Sequence, residues 1–387
     1  MISLIHNATR PMRTPTLALA GALFLAAPAL AGTEPASDAA YAITADRVVV
    51  DGATVIPDGL VLVDGGRILA VGTEADLLGT LADGVRVVDH EGWLTAGIVA
   101  ANGNFGIASR VDDSTRAFVQ DLELVDAFDP EHHSLRAVAE AGVTAYGLTA
   151  GRSNVAGGIG AVVRTDGTVL DADASLALCL APPALRGNRF PTSYAGAVHA
   201  VEERFASSEG AFGRAAAGEL SLEIAVGARH EIRRTLDLLE RLGRPATLRG
   251  ADRAGEFTED LVATGSSVAL SAPGLSAAAW RFDSIRDLIR AEVPFAFGLA
   301  DTSRGADCLR FGAALAVDRG LDRGSLWNAL TVHPAAMLGA GDRIGRVASG
   351  YDADLCLWSG DPLALTTTLE AVYLGGNLLQ DEEGDQE

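Results

Sequence analysis

The chain has 387 residues, 48% of them hydrophobic, which is enough to bury a large core and fits one α/β barrel of ~250 residues plus a smaller satellite domain. Its formal net charge of −21 argues against nucleic acid and anionic membrane surfaces as partners. Three widely separated cysteines, Cys179, Cys308 and Cys356, offer no C-x-x-C spacing, which excludes a zinc knuckle or a dithiol redox motif; a single disulfide and buried thiols both stay open.

At the N-terminus, Arg10 and Arg13 precede an uncharged run, residues 16–31, that ends Ala29-Leu30-Ala31. A basic flank, a short apolar stretch and small residues before the cut describe a secretory signal over residues 1–31. The expected location is therefore periplasmic or secreted, with a mature chain starting near Gly32. The run is shorter than the ~20 residues of a membrane span, so no span is expected after cleavage. A buried N-terminal helix is the competing reading, but nothing amphipathic supports it. Removing residues 1–31 takes away two arginines and no acid, shifting the charge from −21 to −23.

Residues 43–50, 59–64 and 67–72 read as short strands, with Asp64-Gly65-Gly66 as a hairpin signal between the last two. The far end has the same texture in Asp354-Leu355-Cys356-Leu357-Trp358 and Ala371-Val372-Tyr373-Leu374. Residues 41–92 and 340–380 are thus expected to build one small β-sandwich from both ends of the chain. Between them, residues 93–339 alternate strands and amphipathic helices. A helix over 133–141 precedes a strand over 143–148. Another, over 229–242, sets Ile232, Leu236 and Leu239 on one stripe and leads to a strand over 246–248. Further strands are predicted over 267–270 and 295–299. This order implies a parallel sheet, closed or open. Residues 381–387 form an acidic, solvated tail.

Three motifs sharpen the reading. Trp93-Leu94-Thr95-Ala96-Gly97 leads through Ile98-Val99-Ala100-Ala101 to Asn102-Gly103-Asn104-Phe105-Gly106. Residues 326–339 contain Thr331-Val332-His333-Pro334-Ala335-Ala336, and residues 342–355 run from Asp342-Arg343-Ile344-Gly345 to Asp352-Ala353-Asp354-Leu355. Together they resemble the amidohydrolase superfamily of metal-dependent hydrolases. Residues 126–130, with Gly142-Val143-Thr144 and Ser153-Asn154-Val155-Ala156-Gly157-Gly158, resemble its imidazolonepropionase-like branch. The resemblance implies a (β/α)8 TIM-like barrel with its site at the C-terminal strand ends, where metal-activated water attacks an amide-like carbon.

The family's metal ligands are a His-x-His pair, a bridging residue, two further histidines and an aspartate. Asn102 and Asn104 stand at the His-x-His positions, and a carboxamide oxygen is a poor ligand for zinc. The later histidine positions fall on Ala225 and Arg249. Asp301 matches the final aspartate. All 30 basic residues are arginine, so no lysine can bridge two ions. No metal or other cofactor is therefore expected, although the family uses zinc or another divalent ion.

Other chemistries fare no better. His132 and His133 are adjacent at a helix start, His333 sits in a packing motif, and His90, His199 and His230 are isolated. His230-Glu231 lacks the second histidine of H-E-x-x-H, because Arg234 stands there. No G-x-S-x-G elbow appears, and Gly157-Gly158-Ile159-Gly160 reads as a tight loop. The arginines between 229 and 253 read as a solvated face paired with acids, with a carboxylate clamp as the alternative.

The expected protein is an exported amidohydrolase relative that has lost its metal and acts as a binding or assembly subunit. Asn102, Asn104 and Arg249 are its candidate binding residues, unless the asparagines keep purely structural hydrogen bonds. Its partners would be a small molecule and an oligomeric mate, either a second copy or an active relative. The alternative is a working hydrolase of non-peptide C–N bonds in a cyclic amide or dipeptide-like substrate, with Asp301 as catalytic base.

Overall fold

The computed structural model describes residues 40–107, 110–300 and 305–380. The expected signal (1–31), the acidic tail (381–387) and Asp301 lie outside the described residues. The chain opens with four strands: β1 (Tyr41–Val49), β2 (Val55–Asp64), β3 (Arg67–Thr73) and β4 (Arg86–Ala96). β2 and β3 pair antiparallel through Asp64 and Arg67, and Gly65 and Gly66 both take positive φ in the two-residue turn between them.

Eight strands follow: β5 (Ile98–Gly103), β6 (Val143–Leu148), β7 (Ala156–Arg164), β8 (Val169–Cys179), β9 (Ser221–Ala225), β10 (Thr247–Arg249), β11 (Ser267–Ser271) and β12 (Phe295–Gly298). They pair in the order β12-β11-β10-β9-β8-β7-β6-β5, a nearly closed TIM-like barrel. The alternation departs from an all-parallel barrel at β7, which runs antiparallel to both β6 and β8. The Gly157-Gly158-Ile159-Gly160 run, expected as a tight loop, is therefore strand. Its glycines serve close approach: a Cβ on Gly160 would lie 2.6 Å from the Leu148 carbonyl oxygen, and Gly158 has φ +123.

The chain closes with β13 (Leu355–Trp358), β14 (Leu369–Leu374) and β15 (Asn377–Leu378), which join the first four strands in one sheet ordered β15-β14-β13-β4-β1-β2-β3. β13 lies antiparallel beside β4, pairing Leu355 with Ala96 and Trp358 with Trp93. Ile43, Val48, Val61, Ile68, Leu94 and Leu355 form the apolar interior of this sheet. Gly97 is the joint between sheet and barrel; a Cβ there would meet Thr144 of β6 at 2.1 Å.

The helix Val332–Met337 and the turn after it plug one end of the barrel, where Ala335, Leu338, Ala340 and Ile344 pack against Val99, Ala145 and Val162. His333 belongs to this packing: its Nδ1 lies 2.9 Å from the Phe295 carbonyl, and burial lowers its pKa. The helix Arg229–Leu242 buries Ile232, Leu236 and Leu239 as its periodicity predicts. Among the described residues no helix is long and apolar enough to cross a membrane.

Candidate functional site

The barrel opens at the C-terminal ends of its strands, and β5 brings Asn102 and Asn104 there. Asn102 is 2% exposed. Its backbone carbonyl accepts the Leu299 N–H at 2.8 Å, and its side-chain Oδ1 accepts the Ala300 N–H at 3.2 Å. These two bonds span the seam between β12 and β5, so Asn102 is a closure residue of the barrel. Asn104, oriented to satisfy its amide, donates to the carbonyls of Gly103 at 2.7 Å and Thr149 at 3.0 Å, tying β5 to the end of β6.

In register, Cys179, Ala225 and Arg249 stand side by side at the ends of β8, β9 and β10. Arg249 is 2% exposed, and its guanidinium lies 3.1 Å from Glu223 Oε1. It also donates to Thr149 Oγ1 at 3.1 Å and to the Ala150 carbonyl at 2.9 Å. Thr149 Oγ1 in turn donates to Glu223 at 3.0 Å. Thr149 follows β6, which lies four strands from β10 in a ring of eight, so the guanidinium reaches across the barrel. A buried charge needs this degree of pairing, because desolvation costs several kcal/mol per ion.

The residues at this position do not fit a divalent metal. Asn102 Oδ1 is committed to a backbone N–H, while its buried Nδ2, a donor, has no partner among the described residues. A fixed cation, Arg249, occupies the neighbouring position. The space between Asn102, Arg249, Ala269, Ser271 and Gly298 is about 10 Å³, room for about one water. Among the described residues no three His, Cys, Asp or Glu side chains gather into a metal cage. Cys179 sits near Arg152 and Arg249; burial raises its thiol pKa, and the two arginines act against that rise. All three cysteines are buried thiols outside any disulfide.

Outside this closed layer lies an open cavity of about 400 Å³, lined by Asn104, Arg110, Asp112, Ser114, Ser153 and Arg186 among others. Its wall is stapled by two side chains. Asn154 Nδ2 donates to the carbonyls of Asp113 and Arg116, both at 2.7 Å. Arg189 donates to the carbonyls of Ser114, Arg116, Ser153 and Ala184. The Ser153-Asn154 motif is therefore a clamp on the loop that leaves β5.

Of the expected site residues, the structure brings Asn102 and Arg249 to one enclosed layer and leaves Asn104 lining the open cavity. The surface arginines pair with acids, as in Arg229–Glu256, Arg233–Asp260 and Arg241–Glu202, and such exposed pairs contribute little. Sequence reasoning passed over Glu223 and Thr149. The signal for Glu223 is a lone acid inside Leu222-Glu223-Ile224-Ala225-Val226, an apolar strand that must supply it a partner. Arg110, Asp112 and Arg186 carry no comparable signal.

Comparison with known proteins agrees with this architecture. A model described as Amidohydrolase family matches residues 295–380. A stretch of 53 residues is 36% identical to amidohydrolase tasK of Hapsidospora irregularis; it covers 14% of this chain and only 5% of that protein's length. The crystal structure of an amidohydrolase from Thermotoga maritima MSB8 superposes with TM-score 0.79 at 20% identity, over 88% of this chain and 99% of that one. A prolidase complexed with N-methylphosphonate-L-proline gives TM-score 0.57 at 16% identity, over 88% and 99% of the two chains. The structural likenesses carry the fold, and the match over 295–380 ties that fold to a family. By its motifs the chain resembles the amidohydrolase superfamily, its barrel has the fold of the amidohydrolase structures it superposes on, and its residues 295–380 match the amidohydrolase family.

Proposed function

We propose that the chain is an exported amidohydrolase relative that works without a metal and binds a small molecule at its barrel mouth instead of hydrolysing it. The observation that carries this reading is Arg249: a buried guanidinium, held by Glu223 and Thr149, lies across the barrel where a hydrolase of this family would hold a cation. Ligands of TIM-type barrels gather at the C-terminal strand ends, and the cavity of about 400 Å³ there is of small-molecule size. Export is supported by the basic flank and apolar run over residues 10–31. As a binding or assembly subunit, its natural mates are a second copy or an active relative.

Elemental analysis of the purified protein, together with an amidase and imidase screen in the presence of zinc, manganese or iron, tests the reading. Metal well below one ion per chain and no turnover are expected. Near-stoichiometric metal, or turnover abolished by Asp301→Asn, would overturn it and install the hydrolase alternative. N-terminal sequencing of protein expressed from the full chain tests export; an intact Met1 in the secreted fraction would refute signal cleavage.

A further inference from the structure

The outer cavity has a charge arrangement that narrows what it can hold. Arg110 and Arg186, on two different loops, both line it, and among the described residues neither makes an ion pair. In a chain of net charge −21, two guanidinium groups that line one cavity without an ion pair mark a place for an oxyanion. Asp112 lines the same cavity. Its Oδ1 is shielded from solvent without a hydrogen-bond partner, and its carboxylate packs so closely on Gly151 that a Cβ there would meet it at 2.4 Å. An unmet buried acceptor is costly, and an incoming N–H would relieve it.

These three groups discriminate between ligand classes. A dianion would gain the arginines but face Asp112, and a simple cation would meet two like charges. A molecule with opposite charges at its two ends satisfies all three. Building on the proposed role of the barrel mouth as a ligand site, we infer that this cavity binds a small zwitterion. Its carboxylate is held by Arg110 and Arg186, and its ammonium group is held by Asp112. Ser114 and Ser153 on the wall supply hydroxyls, and Asn104 forms part of the floor.

Isothermal titration and thermal-shift measurements on the purified protein test this with the protein α-amino acids and a ladder of ω-amino acids of two to six carbons. At least one member should bind and raise the melting temperature. Its primary amide and its N-acetyl derivative should each bind at least tenfold more weakly. Arg186→Gln should abolish the preference over the amide, and Asp112→Asn the preference over the N-acetyl form. Arg186 is partly exposed, so Arg186→Gln should leave the melting temperature without ligand at that of the unmodified protein, and Asp112→Asn, which takes charge off a shielded oxygen, should not lower it. No binding by any member overturns the inference, as does binding of inorganic phosphate or a mono-charged analogue with equal strength. The non-catalytic reading fails separately: a bound metal ion with turnover in the amide screen would sink it while leaving zwitterion binding standing.

Discussion

Arg249 and Glu223, on neighbouring strands of the barrel, meet at 3.1 Å with side chains 3% and 9% exposed. Removing one partner of such a buried pair leaves an uncompensated charge, whereas removing both leaves no charge and leaves the Thr149 hydroxyl and the Ala150 carbonyl short of partners. Arg249→Met should therefore cost about 3–5 kcal/mol of stability, and Arg249→Met combined with Glu223→Met distinctly less. Urea denaturation of the two single variants and the double variant measures the coupling. If the double variant is as unstable as the sum of the singles, the pair is not the structural unit described here.

Parts of the fold can be anticipated from the residues, whereas the Glu223 and Thr149 partners of Arg249 were not, and the boundaries have physical reasons. The apolar run Ile98-Val99-Ala100-Ala101 ending at Asn102 announces a buried strand and its exit, and β5 has that form. The Asp64-Gly65-Gly66 turn and the stripe of Ile232, Leu236 and Leu239 were equally readable, because turn chemistry and helical period are local. The direction of β7 was not readable, since a period-two pattern is the same in either sense. Nor was the outer cavity: Arg110, Asp112 and Arg186 come from separate loops that meet only when the barrel closes.

Gly298 and Asn102 are a matched pair at the seam. A Cβ on Gly298 would fall 2.3 Å from Asn102 Oδ1, the atom that accepts the Ala300 N–H. Gly298→Ala must displace that carboxamide and break its bond, for a loss of about 1–3 kcal/mol typical of overpacking. Adding Asn102→Ala should recover part of the loss by opening the space. A chemical-denaturation midpoint for Gly298→Ala equal to that of the unmodified protein would show that the seam is looser than drawn.

Asn154 is 1% exposed and satisfies two carbonyls of the loop that walls the outer cavity. Asn154→Ala leaves the Asp113 carbonyl without a donor and the Arg116 carbonyl with Arg189 alone, at a cost of about 1–3 kcal/mol. The barrel strands do not depend on it, so the effect should be local. Hydrogen exchange followed by mass spectrometry should show faster exchange in residues 113–119, with β9 and β10 unchanged. Uniform acceleration across the barrel would instead make Asn154 a global stability residue.

Asp354 gives the pH dependence. It is 4% exposed, accepts the Gly375 N–H at 2.7 Å and lies 3.7 Å from Arg164. Burial outweighs these favourable contacts and pushes its pKa up from 3.8 to about 6. Between those values the unfolded chain has released this proton while the folded protein still holds it. Each step up in pH therefore favours unfolding: Asp354 begins to cost stability just above pH 4, and the cost is complete once the pH passes about 6. Asp51, Asp166 and Asp322, whose pKa values are lowered, act in the opposite sense at lower pH, so the diagnostic quantity is a difference between proteins. Asp354→Asn keeps an acceptor for Gly375 and removes the titration. Its stability relative to the unmodified protein should rise between pH 4 and pH 6 and then level off. A difference that stays constant across that window would mean that Asp354 is ionised at its ordinary pH in the folded protein and that Arg164 and Gly375 compensate its burial in full.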